Sequence, residues 1–303
     1  MLSQKTQLTP AIRCRGIDPL TLRGCHCMRT VHPFCNICNV IQNGVAQSML
    51  LQTGRLLESS LNPKEKAEHG IYKAMTNLMP DLEERLLSQL QEHENFCADL
   101  IAKGASSARA DNTKAIKSNV MDWVTPNGEP LSPPLGGNVP KELRGYIHHW
   151  TRKLLAPAGF DWDNESQQEA LRSGACIIEG NYWPLFVYKD YKYQPKKPWK
   201  GLFRSWILVK GFKHIFTSPT LVDKSVRSAT RSSNAENHQM TEVTKSSIAY
   251  VAMQIRFRMS SDSTFSQREV LADSETFYES IMEILNWPSE HREIDQLLRW
   301  WNR

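Results

Sequence analysis

The chain has 303 residues, of which 40% are apolar and 23% charged, and a formal net charge of +5 at pH 7. These are ordinary globular proportions, enough to bury a full core as one large domain or two small ones. No apolar run approaches the roughly 18 residues that span a bilayer, so a helical membrane protein is excluded and no membrane partner is expected.

Lys5, Arg13, Arg15, Arg23 and Arg29 against Asp18 alone give the front of the chain a faint presequence character. Pro10 and Pro19 interrupt it, and no amphipathic repeat supports it. There is no apolar signal core, so the Asn164-Glu165-Ser166 sequon reads as a chance match. The seven cysteines are an odd number, five of them between Cys14 and Cys38. Without a secretory signal they predict no disulfide framework, and a reducing compartment, nucleus or cytoplasm, fits them best.

The spacing predicts a mainly α, multi-helix globular domain with long irregular loops. Residues 1–24 read as a poorly ordered N-terminus and 25–124 as an N-terminal helical half. Asn62-Pro63 is a helix start, and its helix should stop before Pro80. Leu82, Leu86, Leu90, Cys97 and Ile101 fall on one face of a longer helix, and another is expected over Ala108 to Val124.

Thr125 to Asn138 holds four prolines and three glycines, which suits neither helix nor central strand. It is the expected boundary, with 139–303 as the C-terminal helical half. There Leu143, Ile147, Trp150 and Leu154 have helical spacing, and Trp199, Leu202, Phe203 and Trp206 suggest a helix that breaks near Gly211. Thr217 to Gln239 reads as a long polar loop. Ile248, Val251, Ala252, Ile255 and Met259 form one face. Phe277, Ile281 and Leu285 form a second, and Ile294, Leu297, Leu298 and Trp301 a third. Ser266 and Glu269 have capping-box spacing.

Few constellations survive a test for chemistry. Cys25, Cys27, Cys35 and Cys38, with His26 and His32 nearby, invite a zinc reading, but only Cys35 and Cys38 have ligand spacing. Helical phase through Phe34, Ile37 and Ile41 argues instead for a helix with incidental cysteines, so no metal and no cofactor are expected. Asp161, Asp163 and Glu165 open like a calcium loop, but Ser166 replaces the required glycine and Arg172 the closing glutamate. Phosphate-loop, dinucleotide and nucleophile-elbow glycine patterns are absent from the sequence. His148 and His149 are expected to point about 100° apart on a helix, too far to share an ion. Arg109, Asp111 and Lys114 have the spacing of local helix ion pairs.

Lys189 to Arg231 stands out. It holds eleven Lys or Arg against Asp190 and Asp223, a surplus of nine, so the rest of the chain sums to 5 − 9 = −4. Aromatic residues interleave with it, among them Tyr188, Tyr191, Tyr193, Trp199, Phe203 and Trp206. Such a mixture binds phosphates and stacks bases. It also describes a helical core whose rim is covered by lysine and arginine stems.

Six stretches together carry a resemblance. They are Ala108–Lys114 (ARADNTK), Pro198–Ser205 (PWKGLFRS), Lys213–Pro219 (KHIFTSP), Thr230–Ala235 (TRSSNA), Ser247–Ala252 (SIAYVA) and Asp273–Tyr278 (DSETFY). With them the chain resembles, over roughly Arg29 to Asn302, an uncharacterised domain family present in many copies in mushroom-forming (basidiomycete) fungi. The resemblance implies no reaction, cofactor or catalytic residue.

Three readings follow. One is a nucleic-acid-binding protein, with a mobile element as its setting, gripping phosphates through Lys196, Lys197, Lys200, Arg204, Lys213, Arg227 and Arg231. Another is an all-helical interaction module whose basic segment meets an acidic protein or its own Glu83, Glu84 and Glu92. The third is an enzyme with a pocket around His214, Arg231, Asn234 and His238; no catalytic residue is assigned.

Overall fold

Asp18 and Pro19 start the first described helix, α1 (Pro19–Thr30). Proline at the first position gives up no intrahelical donor, and the Asp18 carboxylate accepts the Leu20 N–H at 2.8 Å. Residues 19–24, expected to be poorly ordered, therefore belong to a capped helix. The computed structural model describes residues 17–87, 92–116, 119–126, 131–136, 138–217, 234–237, 240–261 and 268–303.

The helices that follow are α2 (Ile37–Gln52), α3 (Pro63–Leu78), α4 (Asp81–Leu87), α5 (Glu92–Ala115), α6 (Asn119–Val124), α7 (His149–Leu155) and α8 (Glu165–Ser173). After them come α9 (Trp206–Phe212), α10 (Asn234–Asn237), α11 (Lys245–Met259), α12 (Arg268–Leu285) and α13 (His291–Trp301). Among the described residues there is no sheet, only the isolated bridges Pro157–Pro184 and Tyr188–Leu202. No described helix is long and apolar enough to cross a membrane.

α1 lies along α5 at a glycine crossing. A Cβ on Gly24 would meet the Ile101 carbonyl, and one on Gly104 the Thr21 carbonyl. Glycine at both positions lets the two backbones approach this closely. The Arg85 guanidinium of α4 grips Asp18 with two bonds of 3.0 and 3.1 Å, fixing α4 against the start of α1.

α11 is the central helix. From Ser247 to Met259 every residue but Arg256 is buried, the pattern of a helix surrounded by protein. α1, α5, α6, α7, α9 and α12 all pack on it. Gly211 brings α9 in close: a Cβ there would lie 2.8 Å from Ile255 Cδ1. One apolar core runs from Leu20 to Leu297, continuous across the Pro/Gly-rich stretch.

A polar network threads this core. Arg29 donates to Asn112 Oδ1 at 3.1 Å, Asn112 Nδ2 donates to the Tyr250 hydroxyl at 2.9 Å, and Thr113 Oγ1 lies 3.0 Å from Gln254 Oε1. The Thr113 hydroxyl also donates to the Arg109 carbonyl at 2.6 Å. Tyr250 and Gln254 are fully buried, so these bonds replace water that cannot enter.

Several expectations change in detail. The helix expected over Ala108 to Val124 is the end of α5 followed by α6. Leu143 and Ile147 are about half exposed and precede α7, because the chain turns at Gly145, whose φ is +61°. The expected Trp199 helix begins only at Trp206. Gly201 at φ +81° and Phe203 at φ +52° are left-handed, which no α-helix tolerates. The expected break near Gly211 comes two residues on, where α9 passes into a π-turn at Lys213–Thr217. Ser266 and most of Thr217 to Gln239 lie outside the described residues.

Candidate nucleic-acid interface

Tyr188 to Leu202 is a closed loop. Its ends are stitched by the Tyr188–Leu202 bridge, with the Lys189 N–H donating to the Gly201 carbonyl at 2.8 Å. The non-glycine left-handed residues among those described are Asp190, Tyr191 and Phe203, all in or beside this loop. Left-handed aromatic residues are costly, and the surroundings hold them there. Phe203 is fully buried, and its carbonyl accepts the Trp301 indole N–H at 3.1 Å. Tyr188 is buried beneath the loop and meets Tyr193 edge-on at 5.1 Å.

This anchored underside leaves a basic crown. Lys189, Lys192, Lys196, Lys197 and Lys200 are all exposed. None of the five is ion-paired to a described residue. Glu83 and Glu84 of α4 are exposed and form no ion pair with them, and the Glu92 side chain lies outside the described residues. Five exposed ammonium groups against the single carboxylate of Asp190 on one short loop make a local field that favours a polyanion.

Partly buried aromatic rings continue from the loop to the exposed Trp206. Trp150 meets Tyr191 edge-on at 6.3 Å, and Tyr191 meets Trp206 at 6.5 Å. Lys210 Nζ sits 5.0 Å from the Trp206 ring centre and Lys153 Nζ 5.8 Å from that of Trp150. Burial pushes the Tyr191 phenol up, so it stays neutral.

The other expected phosphate contacts are placed differently. Arg204 is half-buried and turned into the loop, its Nη1 lying 3.4 Å from the Leu202 carbonyl and 3.5 Å from that of Trp199. Burial lowers its pKa, with Glu293 opposing. Arg204 therefore braces the loop and is not part of the crown. Lys213 is half-buried on the π-turn. Arg227 and Arg231 lie outside the described residues.

Of the expected pocket, only the His214 side chain falls within the described residues. That ring is buried edge-on against Trp123 at 5.5 Å, with Asn119 Nδ2 at 3.4 Å from its Nδ1. Burial holds it below the usual imidazole range, against the pull of the Ala115 carbonyl. Asn234 starts α10, and Arg231 and His238 lie outside the described residues.

The histidines and cysteines that invited a metal are engaged elsewhere. His32 Nε2 meets Glu279 Oε1 at 2.7 Å while its Nδ1 accepts the Phe34 N–H at 3.2 Å, so neither nitrogen is left to activate Cys35. Burial pushes the Cys35 thiol up to about 11 and the buried Cys27 thiol higher. Cys25 donates to the Gly104 carbonyl at 3.1 Å and Cys38 to Asn95 Oδ1 at 3.3 Å. Among the described residues no three His, Cys, Asp or Glu gather as a metal site. His148 and His149, expected to diverge, stack at 4.7 Å because His148 precedes α7 as its cap. Its Nδ1 accepts the Trp150 N–H at 3.1 Å, and its Nε2 lies 2.9 Å from the Pro133 carbonyl.

The profile of a family of unknown function (DUF6698) matches residues 103–303. The chain belongs to this family. The match takes in the basic loop and α11 and begins inside α5, so the α1–α4 layer lies outside it. No curated protein and no solved structure matches the chain. The stretches that carried the resemblance map chiefly onto scaffold. In ARADNTK, Asn112 and Thr113 are interior network residues and Arg109 donates to the Pro33 carbonyl at 3.3 Å. PWKGLFRS closes the basic loop, and SIAYVA is the heart of α11.

Proposed function

We propose that this protein binds nucleic acid through its phosphates, without catalysis, using the loop from Tyr188 to Leu202. The observation that carries the reading is the crown of five exposed lysines, unpaired with any described residue, on a loop braced from below by buried aromatic residues. A rigid support lets the lysines meet a phosphate chain without the entropy cost of ordering the loop first. No described Asn or Gln stands beside the crown on a helix that could enter a groove, so weak sequence preference is expected. The finer resemblance, to a family dispersed in many copies through mushroom-forming fungi, suits a passenger of mobile elements and an intracellular setting where nucleic acid is the abundant polyanion.

The acidic-protein reading shares the same lysines, and one experiment separates the two. Fluorescence anisotropy of labelled single-stranded and duplex oligonucleotides at low salt should show binding by wild type and a clear loss for Lys196/Lys197/Lys200→Ala. Absence of binding by wild type to either form would overturn the proposal.

A further inference from the structure

A slot of about 480 Å³ opens on the basic and aromatic side of the molecule, lined by Pro126, Leu131, His149, Trp150, Lys153 and Trp162 among others. That volume suits a ligand about the size of one nucleotide. Its position is not independent of the basic loop. Trp150, one wall, touches Tyr191 of the loop, and a Cβ placed on Gly159 would lie 3.7 Å from Tyr193 Cε1. The strand of chain leading to Trp162 is thus packed beside the same loop.

One wall is a fixed ring. The Trp150 indole N–H donates to the Val124 carbonyl at 2.6 Å, which holds the ring plane. Trp162 is partly exposed, with Phe160 against it at 5.9 Å, and its carbonyl accepts from Gln168 Nε2 at 2.6 Å. Lys153 stands at the slot 5.8 Å from the Trp150 ring centre and places a cation beside the aromatic wall. His149 also lines it, and burial with the neighbouring His148 and Arg152 keeps that ring below the usual imidazole range. Near neutral pH it is therefore an uncharged hydrogen-bonding edge.

We infer that this slot takes an unpaired base of a single-stranded nucleic acid, stacked against the indoles of Trp150 and Trp162 with its phosphate on Lys153. The inference rests on the proposed phosphate-binding loop and adds a preference for single strands. A base inside a duplex is stacked on its neighbours and cannot enter a slot without being extruded. An unpaired base enters freely, and stacking tolerates any sequence because every base has a π-face.

The test is anisotropy with a labelled oligothymidylate and with a duplex of the same length, read alongside tryptophan emission. Wild type should bind the single strand more tightly and show quenched emission on binding. Trp162→Ala should weaken single-strand binding about fivefold or more, the loss of roughly one stacked base, while duplex binding and the melting temperature stay unchanged. Trp162→Phe, which keeps a ring, should recover most of the affinity. Equal binding of both forms by wild type, or single-strand binding indifferent to Trp162→Ala, would overturn the slot while leaving the lysine crown in place. A variant that loses single-strand and duplex affinity alike would also overturn it. Wild type binding neither form would remove the phosphate-binding proposal and this inference together.

Discussion

The Asn112 side-chain amide donates to the Tyr250 hydroxyl at 2.9 Å, joining α5 to the centre of α11 where Tyr250 is fully buried. The same Asn112 accepts from Arg29 of α1, so one carboxamide ties three helices. Burial pushes the Tyr250 phenol up, while the Asn112 bond acts the other way; the ring stays neutral. The Thr113 hydroxyl has one hydrogen but faces both the Arg109 carbonyl and the Gln254 carboxamide. A Gln254 amide turned to donate its –NH2 to Thr113 satisfies both.

Asn112→Ala should therefore destabilise by about 1–3 kcal/mol, since it leaves Arg29 and Tyr250 buried without this partner. Denaturant melts measure it. In a double-mutant cycle with Tyr250→Phe, the coupling should be about 0.5–3 kcal/mol. Additive effects would show that the bond carries no energy of its own.

Two glycines should respond with opposite signs. Gly104→Ala forces a Cβ into the Thr21 carbonyl and should cost about 1–3 kcal/mol by overpacking. Gly70, inside α3, is exposed and has open space where a Cβ would go. Gly70→Ala should stabilise by roughly 0.5–1 kcal/mol. Thermal melts of the two variants check the α1–α5 crossing directly.

Much of the scaffold was legible in the sequence. Asn62-Pro63 announced α3, which has the expected end and a capping box with Glu65. The apolar faces of α12 and α13 are read from spacing because those helices are strongly periodic, while α11, buried on nearly every side, is marked by its apolar content. The Trp199 helix misled because periodicity is blind to backbone sign: Leu202 and Phe203 are buried as a helix would bury them, but through a left-handed turn. The Asn112–Tyr250 network was missed for a different reason. Its residues are far apart in the chain, and polar residues on a helix ordinarily face water. The one available signal was Asn112-Thr113 in line with the buried Ala105 and Ala108 face of α5.

Stability should rise with pH below the unfolded imidazole value. Burial holds His214 below its unfolded value of about 6.5, so in that window the unfolded chain binds a proton that the folded chain refuses. The contribution is fully present above the unfolded pKa and is lost as pH falls toward the folded one. His214→Gln should flatten part of this slope in denaturant melts taken across the window. An unchanged slope would show that the ring beside Trp123 takes up a proton without penalty.

The most direct test of the central claim is the salt dependence of nucleic-acid affinity. The logarithm of the binding constant should fall linearly with the logarithm of salt concentration, with a slope of about 0.7–0.9 for each phosphate neutralised. Replacing Lys196, Lys197 and Lys200 with Ala should reduce that slope by about 2–3 and weaken all sequences alike. A wild-type slope that the triple variant leaves unchanged would contradict the account, because the lysine crown would then be making no phosphate contact.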